Sequence, residues 1–399
     1  MAQTQKKQGD MGTGSVKKLL LQLMIPAVVA QIVNLLYNIV DRIYIGHIPG
    51  IGAAALTGVG LFTPILMLLN AFAMLIGAGG APRTAIAMGQ GDKDQAEKIV
   101  SNSFTMLLIF SVLLTVVFYA AAPALLRMFG ASDATLPYAL AYSRIYILGS
   151  VCVLIVLGMN PFITAQGFAK ISMLTTVIGA VINIVLDPIL IFLFGLGVRG
   201  AAIATVLSQC VSAALTVLCL VKSDGMCHLD LRRLHFRMDK FLRIMQVGLP
   251  AGMQSVIFNI SNVLIQSSVN SFGAVTVAGN TAAANIEGFV YISMNALYQT
   301  SISFTSQNLG AKNYHRIDQT LVRCMCIVTL IGLVLGNGAH LLGNHLLHIY
   351  SDDLEVISFG MQRLSVISVT YCLCGMMDVL AGTIRGLGYS MLPMIVSLI

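Results

Sequence analysis

The sequence predicts an all-α polytopic membrane protein with two pseudo-symmetric six-helix lobes, the second truncated within the eleventh helix of the chain. Three observations predict this fold. Of 399 residues, 57% are hydrophobic and 10% are charged, whereas soluble domains carry about 25% charged residues. Apolar runs long enough to cross a bilayer recur along the chain, and its two halves resemble each other.

Ten complete membrane spans are predicted, because a transmembrane helix needs roughly 20 predominantly apolar residues. They cover residues 19–45, 51–79, 97–126, 139–165, 170–196, 200–222, 240–270, 276–307, 318–350 and 356–385. An eleventh span begins near Leu387, and the sequence ends within it at Ile399. Residues 1–18 are polar, so no cleavable signal peptide is expected.

The positions of Lys and Arg predict the orientation, since cytoplasmic loops carry an excess of both. Eighteen of these residues fall on the side of the N-terminus, and the five on the other side are Arg42, Arg127, Arg144, Arg199 and Arg363. We therefore expect a multi-pass protein of the cell inner (plasma) membrane with a cytoplasmic N-terminus. This bias explains the net charge of +7, so the expected partners are the lipid bilayer and small molecules, not nucleic acid, and a monomer is expected.

A polar stretch divides the chain. Lys222-Ser223-Asp224-Gly225 has the composition of a turn, and a basic segment follows it. The predicted organisation is a cytoplasmic N-terminal tail at 1–14, a first lobe of six spans at 15–222, a cytoplasmic linker at 223–239 and a second lobe at 240–399. That second lobe contains spans seven to ten and part of the eleventh.

The two lobes align as an internal repeat. Pro26 matches Pro250, residues 89–93 match 308–312, and residues 160–167 match 378–386. Because six spans precede the linker, the repeat preserves topology and predicts lobes related by an axis along the membrane normal, which could rock about a central cavity. By this alignment the second lobe lacks most of its fifth span and all of its sixth, so we expect a fragment or a natively incomplete protein.

Charged residues at membrane depth are the first functional candidates, since each costs several kcal/mol and usually marks an ion or substrate path. Asp187 lies within the apolar run 181–194, and Asp41 lies at a matching depth in the first span. Tyr37 and Asn183 each precede one of these acids by four residues, which places each pair on one helix face. Thr205 reaches the same level, so we expect an ion-coupling site of Tyr37, Asp41, Asn183, Asp187 and Thr205.

Two coupling ions fit such a site. Burial and like charge both disfavour two ionised carboxylates, so the pair could bind one proton near neutral pH. The same oxygen atoms could instead hold Na⁺, a hard cation. The sequence leaves both ions open, and no other cofactor or metal is expected. The structural alternatives are a helix-end carboxylate before Pro188 for Asp187 and a local ion pair with Arg42 for Asp41.

Three further polar residues are candidates for substrate binding: Glu287, Asp378 and Asn160. Glu287 and Asp378 lie in apolar surroundings in the second lobe, and neither is expected to have a Lys or Arg nearby. Unpaired buried carboxylates would make a cavity attractive to cations. The structural alternative for both acids is a hydrogen bond between helices.

At these residues the chain resembles the MATE (multidrug and toxic compound extrusion) family, in particular its MepA-like bacterial branch. The resemblance extends from about Ser15 to Ile399, and the matching segments are Asp41-Arg42-Ile43-Tyr44-Ile45-Gly46 followed by Gly52 to Leu56, Met88-Gly89-Gln90-Gly91-Asp92, Asn183 to Phe192, Gly197 to Ala202, and Gly382 to Gly388. It implies a twelve-helix, two-lobed antiporter that expels organic cations in exchange for H⁺ or Na⁺. Carried over by motif, the ion site would again be Tyr37, Asp41, Asn183, Asp187 and Thr205.

Three other functions remain open or are disfavoured. A lipid-linked saccharide flippase of similar topology would need Arg or Lys inside its cavity to hold an anionic pyrophosphate, whereas the deep charges identified here are acidic. A membrane-embedded enzyme is not expected, because the chain contains neither His-Glu-x-x-His nor Gly-x-Ser-x-Gly. A non-transporting membrane fragment is the third alternative.

Overall fold

A computed structural model describes residues 11–12, 14–223, 225–232 and 234–398, which are almost entirely helical. Most of the predicted N-terminal tail lies outside these residues. The helices are α1 (Val16–Gly46), α2 (Gly52–Leu61), α3 (Thr63–Gly89), α4 (Lys93–Met128), α5 (Leu136–Leu148), α6 (Ser150–Ala165), α7 (Ala169–Pro188), a π-helical segment (Ile189–Leu193), α8 (Val198–Val221), α9 (Met238–Asn270), α10 (Ala274–Gly310), α11 (Tyr314–Leu341), α12 (Gly343–His348), α13 (Leu354–Gly386) and α14 (Met391–Val396).

Seven segments within the described residues are long and apolar enough to cross a membrane, and the bent pair α5–α6 makes an eighth. The second predicted span consists of α2 and α3, which break at Phe62. The fourth consists of α5 and α6, which bend by 56° around Gly149. A Cβ at Gly149 would lie 2.4 Å from Val206 Cγ2, so glycine lets α8 pack against the bend.

The seventh and eighth predicted spans form α9 and α10, which are long enough to cross a membrane but less apolar than the others. The polar side chains of α10 are largely buried within the protein near its C-terminal end, where Thr300, Ser301, Thr305, Ser306 and Asn308 are at most 1% exposed. These polar residues lower the hydropathy of the helix. They are tolerated in a membrane span because they face other helices and not lipid.

The described chain divides into two compact units. The first unit comprises residues 29–249, and the second comprises residues 11–28 together with 250–398. Helices α1 and α9 therefore each contribute residues to both units. The lobe boundaries expected from the repeat remain predictions.

In the first unit, α7 packs on α8, and α8 packs on both halves of the bent pair α5–α6. Gly179 permits the closest α7–α8 approach, because a Cβ there would lie 2.0 Å from Ser212 Oγ. That hydroxyl donates to the carbonyl oxygen of Thr175 at 3.0 Å. The small residue and the hydrogen bond together set the spacing of the two helices that carry Asn183 and Thr205.

In the second unit, α10 and α11 both pack on α13. The segment before α1 also belongs to this unit, and Met11 is 1% exposed. The backbone N–H of Met11 donates to Gln307 Oε1 at 3.1 Å, and Arg316 Nη2 donates to the carbonyl oxygen of Met11 at 2.9 Å. These bonds attach the N-terminal segment to the ends of α10 and α11.

Candidate functional site

Helices α1 and α7 bring two acidic residues together inside the first unit. Asp187 is fully buried, and Asp41 is 8% exposed. Their carboxyl groups face each other and interact directly. Asp41 Oδ1 and Asp187 Oδ2 have no hydrogen-bond partner among the residues that the structure describes. Because two facing carboxylates repel each other when both are ionised, the pair can hold a shared proton or a cation.

Asn183 and Thr205 lie beside this pair. Asn183 Nδ2 lies 3.4 Å from Asp187 Oδ1 and 3.4 Å from Thr205 Oγ1, which in turn donates to the carbonyl oxygen of Ala201 at 3.0 Å. Asn183 is fully buried, and its Oδ1 has no hydrogen-bond partner. Three buried oxygen atoms from α1 and α7 thus lack hydrogen-bond partners within one polar cluster.

Tyrosines surround the cluster, and only one of them was predicted. Tyr37 lies close to Asp41 and contacts the Gln209 side chain. From α5, Tyr142 contacts the Thr205 side chain, and Tyr142 and Tyr146 both lie near Asp41. The two α5 rings stack with centroids 6.0 Å apart. The sequence signal that could have identified them is two tyrosines at i, i+4 within a predicted span, which places both on one helix face.

The backbone changes its helical form just after Asp187. Helix α7 ends at Pro188, but the backbone continues directly into the π-helical segment Ile189–Leu193. Asp187 is therefore followed by further helical turns and not by a loop. The N–H of Phe194 donates to the carbonyl of Ile189 at 2.9 Å. Pro188 has no N–H, and the wider turn that follows it re-forms the hydrogen bonding; such π-helical turns are frequent at functional sites.

The expectation that Glu287 lacks a basic neighbour is wrong. Arg363 Nε donates to Glu287 Oε1 at 3.0 Å, and Arg363 Nη2 donates to Oε2 at 2.7 Å. A third donor, Arg363 Nη1, reaches Asn280 Oδ1 at 2.6 Å. Glu287 is 3% exposed. Packing of α10 against α13 forms this bidentate pair, which neutralises the carboxylate and leaves no unpaired charge for a cation.

The same expectation is wrong for Asp378, because Arg385 lies near enough to interact with its charge. Asp378 also interacts with the Tyr291 hydroxyl, and its buried Oδ2 has no hydrogen-bond partner. Arg385 is one of the eighteen Lys and Arg residues expected on the side of the N-terminus, and it is 7% exposed. Its guanidinium donates to the Tyr298 hydroxyl and to Gln254 Oε1, and its Nε has no hydrogen-bond partner.

Asn160, the third predicted substrate residue, lies on α6 in the first unit, whereas Glu287 and Asp378 lie in the second. Asn160 Oδ1 accepts a hydrogen bond from Thr175 Oγ1 at 3.2 Å. This bond ties α6 to α7. The structure therefore gives Asn160 a role in helix packing, and its role in substrate binding stays a prediction.

Comparison with known proteins points to one family. A family model described as MatE matches residues 26–189 and 250–399. Bacillus subtilis "Probable multidrug resistance protein YoeA" is 24% identical over 99% of this chain and 86% of its own length. A "FAD transporter" of Shewanella oneidensis is 23% identical over 96% of this chain and 85% of its length. The solved structure of a multidrug resistance MATE family transporter in its outward-facing conformation matches 98% of this chain and 87% of that transporter's chain, with 26% identity and a TM-score of 0.90.

Proposed function

Because this chain belongs to the MATE family of multidrug efflux transporters, and is thus a transporter and not an enzyme, we propose that it exports lipophilic organic cations in exchange for H⁺ or Na⁺. We place it in the cell inner membrane with its N-terminus in the cytoplasm, working as a monomer by alternating access of its two lobes. The observation that carries the proposal is the buried Asp41–Asp187 pair with oxygen atoms that lack hydrogen-bond partners.

The ion would act by neutralising this pair. One proton shared between Asp41 and Asp187, or one Na⁺ held by their free oxygens and by Asn183 Oδ1, removes a charge repulsion that burial makes costly. Tyr37 and Thr205 complete the polar lining of the site. By linkage, ion and drug must each weaken the binding of the other, so that ion entry releases the substrate.

The substrate would contact the second unit at Asp378. Its Oδ2 lacks a hydrogen-bond partner, whereas the charge of Glu287 is already neutralised by Arg363. The ring of Tyr291, whose hydroxyl interacts with Asp378, adds an aromatic face that attracts organic cations. Of the predicted substrate residues, Asp378 therefore has the strongest support.

Everted membrane vesicles test the ion-coupling role. Vesicles containing the chain are given a pH gradient or a Na⁺ gradient separately, and accumulation of ethidium, a lipophilic cation, is followed by fluorescence. We expect one gradient to drive accumulation and Asp187→Asn to abolish it at equal protein amount. The control is Asp133→Asn, an exposed acid between α4 and α5, which should behave as the unsubstituted chain. Unchanged accumulation in Asp187→Asn would refute the coupling role.

A second candidate is export of an anionic compound. Arg385 in the second unit is buried, and its Nε lacks a hydrogen-bond partner. A flippase or another anion transporter needs such a basic residue to hold its anionic substrate. One relative is named as a FAD transporter. Uptake of FAD by the same vesicles, lost in Arg385→Gln and without ethidium transport, would favour this candidate. Failure of both gradients to move either compound would favour the non-transporting alternative.

A further inference from the structure

A pocket of about 200 Å³ lies in the first unit where the end of α3 meets the beginnings of α4 and α9. Its polar lining comes from Arg83, Gln90, Gln95, Lys240 and Arg243. Aliphatic side chains form the rest of the wall. None of its lining residues is acidic. Three cationic side chains from two helices therefore surround one small space.

Two of these side chains, Lys240 and Arg83, are held in place by hydrogen bonds, whereas Arg243 is exposed. Lys240 is 7% exposed, and its Nζ donates to Gln95 Oε1 at 2.8 Å. Arg83 Nη2 donates to Gln246 Oε1 at 3.1 Å, while Arg83 Nε is buried without a hydrogen-bond partner. Arg83 and Arg243 lie close enough for their charges to repel each other. Lys240 Nζ also lies 3.7 Å from Asp239 Oδ2. With one acid beside three cationic side chains, the cluster retains donor capacity and a net positive charge.

We infer that this pocket binds a phosphate group, either the phosphodiester of an anionic lipid headgroup or a soluble phosphate. Arginine and lysine donors match phosphate oxygens in charge and geometry. The pocket lies where spans end and begin, which is the level of lipid headgroups. Its aliphatic wall, formed by Ile86, Ala87, Ile99 and Ile244, suits the first methylene groups of a lipid's acyl chains.

A bound phosphate would join α9 to α3. The two helices already approach closely, since a Cβ at Gly79 would lie 2.3 Å from the carbonyl oxygen of Ile244, and one at Gly248 would lie 2.0 Å from that of Leu75. Cancelling the repulsion between Arg83 and Arg243 removes a force that opposes this contact. Phosphate binding in this pocket requires no particular transported substrate.

Binding to the purified full chain in detergent tests this inference. The probe is phosphatidylglycerol with a fluorescent acyl chain, followed by anisotropy, with labelled phosphatidylcholine as the zwitterionic control. We expect phosphatidylglycerol to bind more tightly, and Arg243→Gln and Lys240→Gln each to weaken it about tenfold, the effect of losing one charged hydrogen bond. Lys170→Gln, an exposed lysine outside the pocket, should leave the affinity unchanged.

Inorganic phosphate distinguishes the two sources of the anion. Binding of phosphate alone that is weakened by the same two substitutions, together with equal affinity for both lipids, would identify a soluble phosphate. Equal affinity for the two lipids without phosphate binding would overturn the inference, as would lipid binding that both substitutions leave intact. Since Arg243 is exposed, Arg243→Gln decides the result even if Lys240→Gln does not fold.

Discussion

Gly179→Ala should disturb the candidate ion site through the packing of α7 on α8. The new Cβ would lie 2.0 Å from Ser212 Oγ, so the hydroxyl must give up its hydrogen bond to Thr175 or the helices must separate. Asn183 lies one helical turn after Gly179 on the same face. Separation would therefore lengthen the 3.4 Å contact between Asn183 Nδ2 and Thr205 Oγ1.

The magnitude follows from these contacts. Ser212 is 2% exposed, and a buried hydroxyl without a partner costs about 1–3 kcal/mol. The Cβ would also lie 3.3 Å from the Ser208 carbonyl oxygen, which adds overpacking at the lower end of about 1–3 kcal/mol. Replacing glycine in a helix returns about 1 kcal/mol. We expect Gly179→Ala to destabilise the protein by roughly 1–3 kcal/mol.

A second substitution should rescue the first. Ser212→Ala alone loses one hydrogen bond, about 1 kcal/mol, but in the double variant it also removes the atom that the new Cβ meets. The double variant should therefore be more stable than Gly179→Ala, with a non-additivity of roughly 1–3 kcal/mol. The measurement is helical circular dichroism during equilibrium unfolding in mixed micelles titrated with dodecyl sulfate.

Gly60→Ala is the matched control, because a Cβ at Gly60 in α2 meets nothing within 4 Å. It should not destabilise the protein. If the double variant were as unstable as the sum of the two single variants, a clash between Cβ and the Ser212 hydroxyl would not be the cause, and the proposed spacing role of Gly179 would be refuted.

Two further predictions concern other contacts. Arg363→Met should cost about 3–5 kcal/mol in the same assay, because it leaves the buried Glu287 charge unpaired; adding Glu287→Gln should recover part of the loss, and a further loss would contradict this. Cys152 Sγ and Cys210 Sγ lie 2.9 Å apart, so diamide should join them with loss of two hydrogens by mass spectrometry. Cys227 should stay unmodified, because burial raises the pKa of its thiol; free Cys152 and Cys210 would contradict the α6–α8 geometry.

Local sequence patterns predict most of the helices and the meeting of the first-unit acids. Hydropathy locates the spans because each helix that crosses the bilayer needs roughly 20 consecutive, predominantly apolar residues. Matching depth and a four-residue spacing place Asp41, Asn183 and Asp187 at one level, and the structure brings them together. These inferences need only the helical period and a topology, both of which are encoded locally.

Contacts between distant helices could not be predicted in this way. Glu287 and Arg363 are 76 positions apart, and no spacing rule relates residues on different helices. Arg385 is expected on the cytoplasmic side because it lies at the end of the tenth predicted span, but it is buried and its guanidinium donates to the side chains of Tyr298 and Gln254. Likewise, no pattern identified in the sequence predicts the π-helical segment Ile189–Leu193.

The attachment of Met11 to the second unit has a consequence for the order of synthesis. Met11 leaves the ribosome early, whereas its partner Gln307 lies 296 positions later. The first turns of α1 must therefore enter the membrane long before their final neighbours are synthesised. Forming a contact between residues so far apart in sequence is slow. If the chain is divided within residues 223–239, the first turns of α1 and their neighbours in the second unit lie on different fragments. Neither fragment then contains a complete unit.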